Sequence, residues 1–265
     1  MTEGRRLAVH VWGEPGAPRA LCLHGVTGWG GHFGQLAERS LAASHHVLAP
    51  DLLGHGASPA EPPWDADAQL AAILETVGRA PALLVGHSYG ARLALELAAR
   101  EPSLVERLVL LDPAIKLEPA VALFAAENAR RTREYATFAE AVERRYEESQ
   151  LHRAPRELVE LELREQLVER DGRWRYPYAQ AAVVATYGVL ATDPPPYEAV
   201  CLPTLLVLGE ESYVPYDHLL DAHAAALGEL LEVVRVPGGH TVLWDALDET
   251  VAAISSFLGS PAAPG

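Results

Sequence analysis

The chain has 265 residues, 49% hydrophobic and 22% charged, a composition that excludes intrinsically disordered and fibrous architectures. Its formal net charge of -15 repels phosphate backbones and anionic lipid surfaces, so we expect neither nucleic acid nor a membrane as a partner. This length is compatible with one large domain that carries an insertion.

The first half of the chain alternates short apolar runs with longer helical patterns. Strands are predicted at residues 6–12, 20–23, 46–49, 82–85 and 108–111, and helices at 65–78 and 89–100. The last three strands are continuous apolar runs, typical of strands that are covered on both faces. This alternation predicts a mostly parallel α/β sheet flanked by helices.

The alternation stops after Pro113. Residues 117–168 are rich in Glu and Arg and are predicted to be helical throughout, with no strand. Strands resume at 204–208 and 230–236, and a closing helix is predicted at 242–258. We therefore expect a core at 1–113 and 197–258, a helical cap at 114–196, and a disordered tail at 259–265.

Localisation and cysteine usage follow from local composition. Residues 1–12 contain no apolar signal region, and the chain has no run of about 18 apolar residues, so a cytoplasmic protein is expected, monomeric or dimeric. Cys22 and Cys201 both lie in apolar runs and are predicted to be buried packing residues, not a disulfide.

A nucleophile motif follows the strand predicted at 82–85. Gly86-His87-Ser88-Tyr89-Gly90 stands between that strand and a helical run, the context in which a Gly-x-Ser-x-Gly turn presents its serine above a sheet. The turn is too tight for side chains at Gly86 and Gly90. The motif predicts Ser88 as a nucleophile.

A glycine-rich loop follows the strand at 20–23 and begins with His24 and Gly25. Such a loop can point a backbone N–H at a developing oxyanion, and we assign this role to Val26. The second donor is predicted to be the N–H of Tyr89, directly after the nucleophile.

These segments resemble the α/β-hydrolase fold family over nearly the whole chain. The matching pieces are HGVTG at 24–28, DLLGHGAS at 51–58, GHSYG at 86–90, the helical insertion, and PGGHTVLWDA at 237–246. The resemblance is to the serine-nucleophile, carboxylesterase-like branch. It implies an eight-stranded mostly parallel sheet with a cap after the sixth strand, and a serine, an acid and a histidine at the carboxyl ends of the strands.

The predicted base is His240, which follows the last strand in the order nucleophile, acid, histidine. Other histidines, including His152, His218 and His223, are expected on solvated helices. No HExxH or comparable spacing is present, so no metal and no cofactor are expected.

The acid departs from the usual family pattern, because Ser212 stands where that pattern has an aspartate. Asp112, after the strand at 108–111, is the first candidate, since adjacent strands lie only about 5 Å apart and some family members carry the acid there. Glu210 or Glu211 is the second candidate. A turn-forming role for Asp112, and no functioning acid at all, stay open.

Several side chains are predicted to line the substrate cavity, since such cavities are mostly apolar with a few polar groups. They are Trp29, His24, His87, Trp174 and Tyr187. The sequence thus predicts a serine hydrolase of small to medium apolar carboxylic esters that acts through an acyl-enzyme. Lactonase, carbon–carbon-bond hydrolase and cofactor-free haloperoxidase or perhydrolase chemistry are alternatives, as is a non-catalytic binding protein.

Overall fold

The computed structural model describes residues 5–131, 133–214 and 216–259. Within these ranges the strands are β1 (Val9–Trp12), β2 (Arg19–Leu23), β3 (His46–Pro50), β4 (Ala82–His87), β5 (Val105–Leu111), β6 (Glu134–Tyr135), β7 (Val168–Arg170), β8 (Arg173–Arg175), β9 (Thr204–Gly209) and β10 (Leu231–Val236). The α-helices of the same ranges are α1 (Gly34–Arg39), α2 (Ala66–Val77), α3 (Tyr89–Arg100), α4 (Pro119–Ala129), α5 (Phe138–Ser149), α6 (Arg156–Gln166), α7 (Gln180–Leu190), α8 (Asp217–Leu227), α9 (Val242–Asp245) and α10 (Leu247–Gly259).

The main sheet has the order β1-β3-β2-β4-β5-β9-β10, with β1 antiparallel to β3 and the other pairs parallel. The described residues thus contribute seven strands to this sheet, where eight were expected. The first predicted strand is also shorter, because the amides of Leu7 and Ala8 donate to the side chains of Thr76 and Ser58. These amides are not available to a strand partner.

Helices cover both faces of the sheet. On β4, Leu84 points into one apolar cluster, together with residues of α2, α3 and α8. Its neighbours Leu83 and Val85 point into the other cluster, with residues of α1 and α10. This alternation follows from the two-residue period of a strand, and it explains why the central strands are apolar at every position.

The elements α4 to α7 and β6 to β8 lie between β5 and β9 in the chain, and we refer to this insertion as the cap. The insertion therefore follows the fifth strand of the described chain. The prediction of an all-helical segment at 117–168 was wrong, since β6, β8 and β7 form a small antiparallel sheet. Its hairpin turns at Asp171 and Gly172, whose φ angles of 53° and 69° suit a two-residue turn.

Three further expectations are revised. The closing helix is two helices, α9 and α10, separated at Ala246, whose φ of -142° and ψ of 45° are not helical. Of the tail predicted at 259–265, Gly259 is the last residue of α10, and the remainder lies outside the described residues. Cys22 is buried as expected, but Cys201 is exposed, because it lies in the loop before β9 and not in the strand.

Candidate active site

Ser88 occupies the tight turn between β4 and α3. Its φ of 55° is in the left-handed region, which L-residues rarely adopt. The turn needs glycine on both sides, since a Cβ on Gly86 would lie 2.5 Å from Ala91 Cα and one on Gly90 would lie 1.9 Å from the Leu23 carbonyl oxygen. The strained turn presents the Ser88 side chain at the carboxyl end of the sheet.

Ser88, His240 and Asp112 form a continuous hydrogen-bonded chain. The distance between Ser88 Oγ and His240 Nε2 is 2.9 Å, and that between His240 Nδ1 and Asp112 Oδ2 is 2.6 Å. A carboxylate only accepts, so Nδ1 carries the proton and Nε2 is free to accept from the serine. All three side chains are buried, which strengthens these interactions.

Asp112 directly follows β5, the neighbour of β4, and is itself in the left-handed region with φ 39°. Its Oδ1 accepts from the Gly209 amide at 2.8 Å, and its Oδ2 accepts from Ser212 Oγ at 2.5 Å. These donors hold the carboxylate toward His240. The alternatives Glu210 and Glu211 are exposed and make no hydrogen bond to His240 among the described residues.

The loop after β2 has one peptide group held in a fixed direction. The Gly25 carbonyl accepts from His24 Nδ1 at 2.8 Å and from the Gly28 amide at 3.0 Å. Because the N–H of the same trans peptide points the opposite way, the Val26 amide faces away from these donors. His55 Nε2 holds the next carbonyl, that of Val26, at 2.5 Å.

The second predicted oxyanion donor is the amide of Tyr89. Tyr89 is the first residue of α3, where a backbone N–H has no acceptor within the helix. Gly25 brings the β2 loop close to the nucleophile, since a Cβ on it would lie 2.9 Å from Ser88 Cβ. The loop and the helix N-terminus therefore approach Ser88 together.

Two side chains that sequence analysis had not assigned to this task hold the His240 loop. His87 Nε2 donates to the His240 carbonyl at 3.1 Å. Asp245 Oδ2 accepts from the Gly239 amide at 2.7 Å, and its Oδ1 accepts from the Ala154 amide at 2.9 Å, which connects the loop to the cap. The position of the imidazole therefore depends on both the core and the cap.

Burial favours the neutral form of three histidines near the site, His24, His55 and His87. Burial lowers the pKa of His24 to about 3, and its Nε2 accepts from the Leu52 amide at 2.9 Å. Burial also lowers the pKa of His87 well below its ordinary value, and that of His55 as well. These rings therefore act as hydrogen-bonding groups of fixed direction near pH 7.

Ser88 and His240 open onto a cavity of ≈ 480 Å³ between the sheet and the cap. Of the side chains predicted to line it, His87 and Tyr187 do so. Trp29 packs its ring edge against His10, His24 lies behind the loop it supports, and Trp174 packs against Phe138 inside the cap. None of these last three is among the lining residues, so the predicted cavity contacts of Trp29, His24 and Trp174 are not supported.

Sequence analysis missed several lining residues. Tyr213 lies with its ring centroid 5.1 Å from that of His240, and Arg133 and Arg145 line the side of the cavity formed by the cap. Arg145 lies in α5, whose many charged residues are typical of a solvated helix. A signal was present, because Arg145 falls on the face that also carries the buried Ala141 and Val142.

The described residues contain no cluster of three or more histidine, cysteine, aspartate or glutamate side chains that could hold a metal ion. They also include no helix of the length and apolarity needed to cross a membrane.

A parallel sheet with a serine at a strand-to-helix turn and an insertion over the sheet is the architecture of the α/β hydrolases. A sequence profile of the alpha/beta hydrolase fold matches residues 18–247. The chain therefore belongs to the α/β-hydrolase family.

Relatives span nearly the whole chain. It is 36% identical over 265 residues to lipase LipV of Mycobacterium tuberculosis, covering 96% of this chain and 98% of the lipase. It is 32% identical over 261 residues to 2-(acetamidomethylene)succinate hydrolase of Mesorhizobium japonicum, covering 96% and 92%. A crystal structure of E-2-(acetamidomethylene)succinate hydrolase superposes with a TM-score of 0.83 at 28% identity, covering 96% of this chain and 95% of that one.

Proposed function

We propose that this protein is a serine hydrolase of carboxylic esters that works through an acyl-enzyme intermediate. One observation carries the proposal: Ser88 Oγ is 2.9 Å from His240 Nε2, and His240 Nδ1 is 2.6 Å from Asp112 Oδ2. In this order a buried serine has a base, and the base has a carboxylate that stabilises its protonated form.

In the proposed reaction, Ser88 Oγ attacks the ester carbonyl while His240 Nε2 accepts the hydroxyl proton. Asp112 holds the imidazole and stabilises the imidazolium without being protonated itself. The amides of Val26 and Tyr89 stabilise the oxyanion. His240 then donates the proton to the leaving alcohol, and water hydrolyses the acyl-enzyme by the same steps in reverse order.

The cavity size supports small to medium substrates, and the relatives support an ester group. A volume of ≈ 480 Å³ lies within the usual range of small-molecule sites, about 300–1,000 Å³. Apolar side chains of α4 and α7 line one side, among them Val121 and Val183. The relatives include the lipase and, at 30% identity over 257 residues, an sn-1-specific diacylglycerol lipase of the mouse.

The test is hydrolysis of p-nitrophenyl esters from acetate to decanoate, with labelling by a fluorophosphonate probe. We expect turnover and labelling in the wild type, and loss of both in Ser88→Ala. Ser103→Ala is the matched control, because Ser103 is exposed and distant in the fold, between α3 and β5. Turnover of no ester by the wild type, or labelling that persists in Ser88→Ala, would overturn the proposal.

A further inference from the structure

The cap side of the cavity carries an excess of positive charge. Its charged lining residues are Arg133, Arg145 and Glu148. Arg133 Nη1 lies 3.4 Å from Glu148 Oε2, so these two residues form an ion pair. The guanidinium of Arg145 is left without a carboxylate among the charged residues that line the cavity.

Arg145 is also buried, with 9% of its surface exposed. Its Nε has no hydrogen-bond partner among the described residues, and its guanidinium stacks on two rings, 4.9 Å from Trp244 and 5.6 Å from Tyr176. Stacking of this kind compensates only part of the cost of burying a charge. A buried cation with aromatic walls and no anion of its own is the arrangement of an anion subsite.

The cation contacts the segment that carries the catalytic base, because its guanidinium lies 4.9 Å from the ring of Trp244, four residues after His240. The charge of Arg145 contributes to the lowered pKa of His87, after burial and the neighbouring histidines. The ring centroid of Tyr213 lies 5.1 Å from that of His240, and the ring centroid of His87 lies 5.0 Å from it.

We propose that the ester substrate carries a carboxylate and that Arg145 binds it. This inference rests on the proposed esterase function and names its substrate class, a half-ester of a dicarboxylic acid or an ester with an acidic alcohol part. The net charge of -15 gives the molecule no general attraction for anions, so the recognition is local to the cap. The bidentate geometry of a guanidinium suits a carboxylate.

The experiment compares anionic esters with neutral partners of the same length. One pair is p-nitrophenyl hydrogen glutarate and p-nitrophenyl methyl glutarate, with the charge on the acyl side. The other is 4-acetoxybenzoate and its methyl ester, with the charge on the alcohol side. We expect the wild type to prefer the anionic member of at least one pair in kcat/KM.

Arg145→Met removes the charge and keeps an unbranched apolar stem against Trp244. We expect it to reduce the anionic preference, the ratio of kcat/KM for the anionic ester to kcat/KM for the neutral ester, about 10- to 100-fold. Arg144→Met is the matched control, because Arg144 is the neighbouring residue on the solvent side of α5, paired with Glu147 at 3.0 Å. This control loses the same charge without touching the cavity.

Glu148→Gln is a second variant, and it leaves Arg145 in place. It releases Arg133 from its ion pair, so we expect the anionic preference to rise about 3- to 10-fold. Binding of glutarate to Ser88→Ala, measured by calorimetry, adds a readout that needs no turnover. Adding Arg145→Met to Ser88→Ala should weaken that binding at least about tenfold.

The outcomes separate the two proposals. An unchanged preference in Arg145→Met, with neutral esters still hydrolysed, overturns the inference alone. The absence of any ester hydrolysis, with glutarate binding that depends on Arg145, overturns the esterase proposal and retains the anion subsite. Loss of preference in both Arg145→Met and Arg144→Met would assign it to the overall field, against the inference.

Discussion

Ser212 Oγ donates a hydrogen bond of 2.5 Å to Asp112 Oδ2, the oxygen that also accepts from His240 Nδ1 at 2.6 Å. Ser212 stands at the position where the usual pattern of the family has the acid. The serine therefore supports the carboxylate that follows β5. In the sequence, serine at position 212 looks like the loss of the acid. In the structure, this serine donates a hydrogen bond to the acid, Asp112.

Replacing the carboxylate should reveal its role. Asp112→Asn is expected to lower kcat for ester hydrolysis about 10³- to 10⁴-fold, because an amide neither stabilises the imidazolium nor selects the tautomer protonated at Nδ1. The measurement is kcat with p-nitrophenyl acetate. Asp217→Asn is the control, since Asp217 is an exposed residue of α8 that pairs with Arg235 at 2.7 Å. An Asp112→Asn enzyme with more than a tenth of wild-type kcat would contradict the assignment.

A carboxylate at position 212 should partly replace the one at position 112. In the double variant Asp112→Asn with Ser212→Asp, a carboxylate at position 212 replaces a hydroxyl that lies 2.5 Å from the native one. We expect this double variant to recover at least about tenfold in kcat over Asp112→Asn. Ser212→Asp alone should be less active than the wild type near pH 7, because two adjacent carboxylates disfavour ionisation of both. A double variant no better than Asp112→Asn would show that the second position cannot reach the imidazole.

Substitution of Tyr187 should change the chain-length preference, whereas substitution of Trp174 should not. Tyr187 lines the cavity, whereas Trp174 packs against Phe138 within the cap. Tyr187→Ala is expected to raise kcat/KM for the octanoate ester relative to the acetate ester about 3- to 10-fold, because it makes room for buried methylenes. Trp174→Ala should leave this ratio unchanged while lowering stability. Equal shifts in the two variants would argue against the cavity boundary described here.

His223 should make the fold sensitive to acid. Its ring is fully buried, stacks on Tyr197 at 4.2 Å and accepts from the Tyr216 hydroxyl at 2.6 Å, contrary to the solvated position expected for it. Burial lowers its pKa from 6.5 to about 4. The unfolded chain therefore takes up the proton first, and stability is lost as the pH falls from 6.5 toward 4.

The measurement is the free energy of unfolding at pH 7 and pH 5. Between these values His223 alone accounts for a loss of about 2 kcal/mol in the wild type, and His223→Gln should lose that much less. His218→Gln is the control, because His218 is exposed on the same helix. The prediction fails if the pH dependence of His223→Gln equals that of the control.

Two parts of the site could be predicted from the sequence because they are set by local constraints. The turn around Ser88 is specified by two glycines whose neighbours leave no room for a Cβ, so a short motif is sufficient. Asp112 could be inferred because β4 and β5 are neighbours, with His87 opposite Leu111 in the register. These contacts are set by strand adjacency, which an alternating α/β pattern predicts.

The strands of the cap were not predicted, because their contacts join residues that are distant in the sequence. Its strands are only two or three residues long, and β6 is separated in sequence from its partner β8 by α5 and α6. The Asp171-Gly172 pair was a visible hairpin signal that the Glu- and Arg-rich composition outweighed. Likewise, the local sequence does not show that Tyr187 lines the cavity whereas Trp174 packs inside the cap, because both positions depend on how the cap packs.

The exposed position of Cys201 has a practical consequence. The chain has 2 cysteines, and Cys22 is fully buried with a pKa that burial raises, so Cys201 is the thiol that a maleimide can reach. It precedes the amino end of β9, whereas Ser88, Asp112 and His240 lie at the carboxyl ends of their strands. The native sequence therefore provides a single attachment point, and protein tethered to a surface through this sulfur would present its cavity to the solution.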